Sequence, residues 1–253
     1  MVITLDDLAL FTYTHSNASD VWPMYLGQIK KFFPEIKVYM IGNNFDGLEI
    51  KTNKMELLIY DDEKPYYKQV LECLEPVKEK YLIYMQEDFI LYNRPQVNEI
   101  IKYNRFIDES KYNFVRLIKS GENKGKKIIE NLYEIPKRSY YIYVMQPTIS
   151  STEDLTILYK ESKCELLTKF EAHIRKIIKK LKFLGTYVYA GEKKRGQNHW
   201  DSTIFPYIAT AISSGQWNLP EYPELNQLFI EYGIDKNKRG IRKDINGYYG
   251  RTY

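Results

Sequence analysis

Tyr81-Leu82-Ile83-Tyr84-Met85-Gln86-Glu87-Asp88-Phe89 is a short apolar run that closes on two adjacent carboxylates. The β-branched and aromatic residues from Tyr81 to Met85 suit a buried strand. Such a strand has no cheap place for two negative charges, because an unpaired ionised carboxylate is strongly penalised away from water. Glu87 and Asp88 are therefore expected where the strand emerges, at its carboxyl end. Open α/β sheets bind ligands at that end. Two carboxylates there suggest a hard divalent cation such as Mg²⁺ or Mn²⁺, which commonly completes its oxygen shell from substrate phosphates.

The flanking sequence supplies a frame for this strand. Residues 8–12 read as a first strand, and a polar loop then leads to a helix over 21–33, with Asp20 as its N-cap and Pro23 in its first turn. Residues 36–41 form a second strand, closed by the turn formers of 42–47. A third strand over 56–60 ends at Asp61-Asp62, and a helix over 66–77 precedes the run at Tyr81. Strands and helices alternating at this spacing imply an α/β fold with a parallel sheet. The first 90 residues look like a nucleotide-binding half of Rossmann type, but without a GxGxxG fingerprint or a P-loop. Farther on, the pattern predicts a helix at 96–108, a strand at 114–117 and a flexible basic loop at 120–127. It also predicts paired strands at 131–135 and 140–145, a long helical region at 152–184 and a strand at 187–190. A polar segment at 191–201, a helix at 202–213 and a basic tail from 236, only partly ordered, complete the chain.

Composition narrows the function classes. The 253 residues can build one full core, and 44% hydrophobic with 28% charged content is ordinary for a globular protein. A net charge of +4 suits a phosphate-bearing ligand but is too mild and dispersed for nucleic acid. Cys73 and Cys164 lie far apart without a CxxC pattern and read as small buried hydrophobes. There is no basic-then-apolar leader and no run approaching the ~18 apolar residues of a membrane span, so a soluble, cytoplasmic protein is expected. Between residues 174 and 183, Arg175, Lys176, Lys179, Lys180 and Lys182 surround apolar positions. That segment reads as a solvated amphipathic helix, with room for peripheral membrane contact.

This order of elements resembles the nucleotide-sugar-binding half of GT-A fold glycosyltransferases. The run from Tyr81 resembles the segment of bacterial and viral polysaccharide glycosyltransferases in which a leucine-rich strand ends in Asp-Asp-Phe-Phe. Asp20-Val21-Trp22-Pro23 resembles the start of their first helix, and Met145-Gln146-Pro147-Thr148 their Leu-Gln-Pro segment. Lys169-Phe170-Glu171 resembles their later Glu-Phe-Glu segment, so the likeness covers residues 8–171 with four motifs in order. One departure is that Gln86-Glu87-Asp88 stands where Asp-x-Asp is usual.

The resemblance implies a Rossmann-like GT-A fold, with a mostly parallel central sheet flanked by helices. It divides a single domain into a donor half (1–92), an acceptor half (93–235) and the tail (236–253). The implied activity is transfer of a sugar from a nucleoside-diphosphate-sugar donor to a hydroxyl of a glycan acceptor, with inversion and with Mn²⁺ or Mg²⁺. Asp88 and Glu87 would hold the metal and diphosphate, with His199 recruited to them from later in the chain. Thr12, Tyr13 and Thr14, with Asn43 and Asn44, would lie beside the nucleoside, and Lys68 would reach the diphosphate. Glu171 is the candidate general base, with Glu153 and Asp154 as fallbacks, since an inverting transfer needs a carboxylate to take the acceptor proton. Trp217, flanked by Gln216 and Asn218, is the candidate sugar-stacking residue for the acceptor. His15 is a weaker ligand candidate. Two other readings remain: a sugar-phosphate nucleotidyltransferase, although residues 12–20 hold neither Gly nor Lys nor Arg, and a non-catalytic glycan- or nucleotide-binding module.

Overall fold

The computed structural model describes residues 3–121, 125–195 and 199–243. In chain order its elements are β1 (Leu8–Tyr13), α1 (Trp22–Phe32), β2 (Lys37–Gly42), β3 (Met55–Ile59), α2 (Tyr66–Leu74), β4 (Tyr81–Gln86) and β5 (Ile90–Leu91). There follow α3 (Val97–Glu109), β6 (Phe114–Arg116), β7 (Lys127–Ile129), β8 (Leu132–Glu134), β9 (Thr148–Ser151), α4 (Thr152–Ser162) and α5 (Phe170–Leu181). The last elements are β10 (Gly185–Val188), β11 (Tyr207–Ile208), β12 (Ile212–Ser213), β13 (Gln216–Trp217), α6 (Leu225–Glu231) and α7 (Lys236–Arg239).

Nine strands make one sheet in the order β3-β2-β1-β4-β9-β6-β10-β8-β7. The first four are parallel to one another. β9 runs against β4 and β6, and β8 against β10 and β7. β6 and β10 are parallel, so the sheet is mostly parallel in strand direction and spans both halves of the chain. Every residue of β1 is buried, as a strand covered on both faces must be. Side chains alternate across it. Leu8 and Leu10 join a core with residues of α1 and α3, while Ala9, Phe11 and Tyr13 join one with α2, α4 and α5. The architecture is α/β with helices on each face.

Three expected elements differ. Residues 140–145 are not a strand, because Ser139 Oγ accepts from the Tyr141 amide and Ile142 donates to the Ser139 carbonyl, turning the chain locally. β8 pairs instead with β7 across a two-residue turn in which Asn131 takes a positive φ of 60°. The 152–184 region is two helices, since Lys163 at φ 47° ends α4. The link between them gives the Cys164 and Glu165 carbonyls to the free amides of Tyr67 and Tyr66 at the start of α2. Residues 202–213 are not helical. Pro206 sits in their middle, Ser202 Oγ holds the Phe205 amide, and β11 pairs with β5.

The tail contributes to the fold within its described part. Gly27 on α1 lets the Tyr232 ring lie against the helix, where an added Cβ would meet a ring carbon at 2.2 Å. Beyond α6, the backbone bridge between Trp217 and Ile241 and short α7 bring Arg239 back over the sheet end. Residues 244–253 of the expected tail, and the 122–124 part of the expected basic loop, lie outside the described residues.

Candidate active site

Parallel pairing sets the site. Tyr13 lies beside Ile41 on one side and Gln86 on the other, and Gly42 lies beside Ile59. The four strands therefore end flush. The residues just beyond their ends, Thr14, Asn43, Tyr60 to Asp62 and Glu87-Asp88, emerge on one rim.

Glu87 and Asp88 sit at that rim with part of each side chain open to solvent and protein packed densely around the rest. Burial pushes Glu87 up to about 8, and the neighbouring Asp88 adds to the rise. Its own backbone, Thr14 and Arg239 oppose it. Burial likewise raises Asp88 to about 7, against the Ile212 amide, its own backbone and Arg239. The Ile212 N–H points to Asp88 Oδ2 at 3.4 Å, and the Ala211 N–H donates to the Asp88 carbonyl at 3.2 Å. At both carboxyls the effect of burial outweighs the contacts that oppose it.

Arg239 is the residue that reading the sequence missed. Its guanidinium is ion-paired with Asp20, with Nε 3.0 Å from Oδ2, and it donates to the carbonyls of Asn17 and Gly215. It also lowers both rim carboxyls. Asp20 is thus no N-cap of α1, which begins behind Val21 with no side-chain cap. Arg239 hides in a basic run, Lys236-Asn237-Lys238-Arg239, that looks like a solvated tail. Arg239→Ala would leave Asp20 unpaired in a setting where both partners are only 15% exposed. The expected cost is roughly 3 kcal/mol of unfolding free energy. A double-mutant cycle with Asp20→Ala in urea checks it, and a coupling energy near zero would show that the pair does not hold α7.

At the end of β1, Thr12, Tyr13 and Thr14 separate. Thr12 is fully buried, its hydroxyl 2.6 Å from that of Tyr25 on α1. Tyr13 faces the opposite core, stacked on Tyr60 and donating to Gln69. Neither has a side chain free for a ligand. Thr14 is at the rim, taking the Trp22 indole N–H at 2.8 Å and bonding to Glu87. Asn43 lies in a polar cluster: its amide nitrogen donates to Ser16 Oγ and Asp62 Oδ2, and Oδ1 takes the Ser16 amide. His15 Nε2 is 3.1 Å from the same Asp62 oxygen. Asp62 was visible in the sequence only as a strand terminus. Asn44 shapes its own loop by accepting from the Asp46 amide, and Lys68 is exposed on α2.

Glu171 and His199, 28 positions apart in sequence, line one cavity of about 400 Å³ with Ser120, Tyr140, Tyr143 and Gln146. Glu171 stands in the first turn of α5, and its Oε1 accepts the Met145 amide at 2.6 Å. Arg175 lies 3.7 Å over the Tyr140 ring and donates to the Tyr140 carbonyl. Burial, with Arg116 nearby, lowers His199 to about 4, so its imidazole is neutral at physiological pH. Gln146 connects this cavity to the carboxylate pair: it donates to Ala209 and accepts from Tyr207, on the segment whose Ala211 and Ile212 amides meet Asp88.

Trp217 is placed otherwise than expected. It is fully buried, edge-on to Phe229 at 4.8 Å with Arg239 over its ring, and offers no face to a sugar. The aromatic surface at the cavity comes instead from Tyr140, Tyr141 and Tyr143. Of the fallback bases, Asp154 bonds Asn113 and the Ser151 cap of α4. Gly196, Gln197 and Asn198, expected beside His199, lie outside the described residues.

Among the described residues no group of three or more His, Cys, Asp or Glu side chains is placed to hold a metal ion, and His199 lines the Glu171 cavity. The carboxylate pair alone fits a hard divalent cation. It is two adjacent oxygen donors, the donor type that such a cation takes, with Arg239 as the opposing charge.

No family model matches the chain, and no curated protein sequence matches it. Among solved structures it is similar to S. aureus TarS 1-349, at 14% identity and TM-score 0.47, over 91% of this chain and 66% of that one. It is also similar to a second S. aureus TarS structure, at 15% identity and TM-score 0.47, over 88% of this chain and 39% of that one. The chain thus spans under two thirds of the length of these neighbours. Among the described residues no helix is long and apolar enough to cross a membrane.

Proposed function

We propose that the chain is a glycosyltransferase that moves a sugar from a nucleoside-diphosphate donor to a hydroxyl of a glycan acceptor, with inversion at the anomeric carbon. The observation that carries this reading is the Glu87-Asp88 pair, faced by Arg239, linked through residues 207–212 to the cavity holding Glu171. Asn43, Ser16 and Asp62 offer amide, hydroxyl and carboxylate groups to a base and ribose at the adjoining strand ends. The donor diphosphate lies over the carboxylate pair. Asp88 and Glu87 would hold Mn²⁺ or Mg²⁺, which when bound neutralises the diphosphate as it leaves. Arg239 adds a fixed positive charge on the same side.

The acceptor hydroxyl sits in the tyrosine-lined cavity. Glu171 Oε1 is engaged by the Met145 amide, which holds the carboxylate in place and leaves Oε2 to take the proton. The acceptor oxygen bonds to the anomeric carbon from the face opposite the nucleotide. The bond from that carbon to the diphosphate oxygen breaks, and its electron pair leaves with the diphosphate. Neutral His199 acts as a hydrogen-bonding wall of the cavity.

The test is a thermal-shift series with UDP-, GDP- and dTDP-sugars, with and without Mn²⁺. A ligand at 100 times its dissociation constant stabilises by about 2.7 kcal/mol, enough to move the melting temperature by several degrees. One nucleotide class is expected to shift the melt, and more strongly with the metal. No shift with any of them would remove the donor-binding reading.

A further inference from the structure

Helix α5 carries a charge pattern that sugar transfer alone does not explain. Its apolar residues Phe170, Ile174 and Ile178 are fully buried against the sheet. Its outer face exposes Lys176, Lys179, Lys180 and, at its end, Lys182. Lys180 pairs with Glu161 of α4; Lys176, Lys179 and Lys182 have no ion pair among the described residues. The acidic groups on α4 and its link are Glu153, Asp154, Glu161 and Glu165, of which Asp154 is bonded to Asn113 and Glu161 to Lys180. Exposed Lys160, Lys163 and Lys169 add further positive charge.

The pattern has a direction. Glu171, Arg175 and Lys179 succeed one another at helical spacings of four, so they share a face, and Lys182 stands at the left-handed cap just beyond the helix. The first two line the cavity. At 1.5 Å per residue, the row runs about 12 Å from Glu171 to Lys179, with Lys182 beyond it at the helix cap. It starts at the group that would receive the acceptor proton. A membrane-lying helix would need its apolar face free. Here that face is already used by the core, and the outward side carries charge.

We infer that the acceptor is a polyanionic chain, a glycan bearing phosphate or carboxylate groups, which lies along the outer face of α5 and presents its hydroxyl to Glu171. This rests on the glycosyltransferase reading. Unpaired lysines in a row attract a polyanion through summed, salt-screened electrostatics that single surface ion pairs do not supply. The Glu171 cavity then selects one hydroxyl from a chain that the lysines hold in register.

The experiment measures binding of fluorescently labelled inorganic polyphosphate to the full chain by anisotropy. The variants are Lys176→Ser/Lys179→Ser/Lys182→Ser, and as a control Lys30→Ser/Lys51→Ser/Lys78→Ser, which removes equal charge elsewhere. Polyphosphate is expected to bind the wild type, to weaken steeply with salt, and to bind the α5 variant at least about tenfold more weakly than the control variant. Neutral dextran is expected not to compete. Equal losses in the two variants, or no polyphosphate binding by the wild type, overturn the proposal. So does α5-dependent binding to phosphatidylglycerol vesicles without binding to polyphosphate, which would make the face a membrane dock. The nucleotide-sugar melt separates the two readings. A retained donor shift with no α5 effect sinks only the polyanion, while an α5 effect without any donor shift sinks the transferase and leaves the surface.

Discussion

Asp88→Asn is expected to lower sugar transfer by ~10²–10³-fold, the usual cost of removing a preorganised group that stabilises transition-state charge. The same substitution should not harm the fold, because the charge it removes is poorly compensated. Linkage gives the sign. Both rim carboxyls hold protons to a higher pH in the folded chain, about 8 for Glu87 and about 7 for Asp88, than their ordinary values of 4.5 and 3.8. Between those limits the folded chain binds more protons than the unfolded one, so stability falls as pH rises. That contribution is fully present on the acid side and is lost as the pH passes through the folded values. The melting temperature of the ligand-free protein should therefore drop between about pH 5 and pH 8, and Asp88→Asn should flatten the drop. Mn²⁺ should stabilise the wild type more at the upper end of this range, where the pair is ionised, and should do little for the variant. Superimposable melting curves for the two proteins across the range would show that no strained carboxylate pair exists.

Glu171→Gln is expected to reduce turnover by ~10²–10⁴-fold, the range spanned by general-base contributions. Glutamine keeps an acceptor oxygen for the Met145 amide, so the start of α5 and the cavity wall should persist. Nucleotide-sugar thermal shifts should match those of the wild type, because the substitution touches the acceptor side only. The informative comparison is turnover against donor binding. Turnover within about threefold of wild type would remove Glu171 from proton transfer. Loss of the donor shift as well would mean that the residue supports the fold rather than the chemistry.

The N-terminal half was the more legible part of the chain. Its strands β1, β2 and β4 are buried on both faces, and the apolar runs at 8–12, 36–41 and 81–85 declare themselves without reference to partners. The later half was read less well because its short strands pair across long sequence gaps, as β9 does with β4 and β11 with β5. No local period announces such pairs. At 202–213 the apolar spacing mimicked a helix, while Pro206 and the Ser202 cap imposed a bent extended path. Trp217 shows the same limit, since an aromatic between amides looks alike in a core and at a sugar site.

Glu87 and Asp88 could be placed at a strand end from composition alone, because solvation forbids two carboxylates inside an apolar strand. Glu171 could be singled out from the resemblance of its segment. Their arrangement into a site came from elsewhere. The flush ends of β1 to β4 put Thr14 against Glu87. The two helices after β9 set Glu171 in a cavity with His199, and the close packing of Tyr232 on Gly27 helps return Arg239 to the carboxylates. Local sequence sets what a strand can bury. The company its exposed ends keep depends on pairings between distant segments, and those exist only once the sheet has formed.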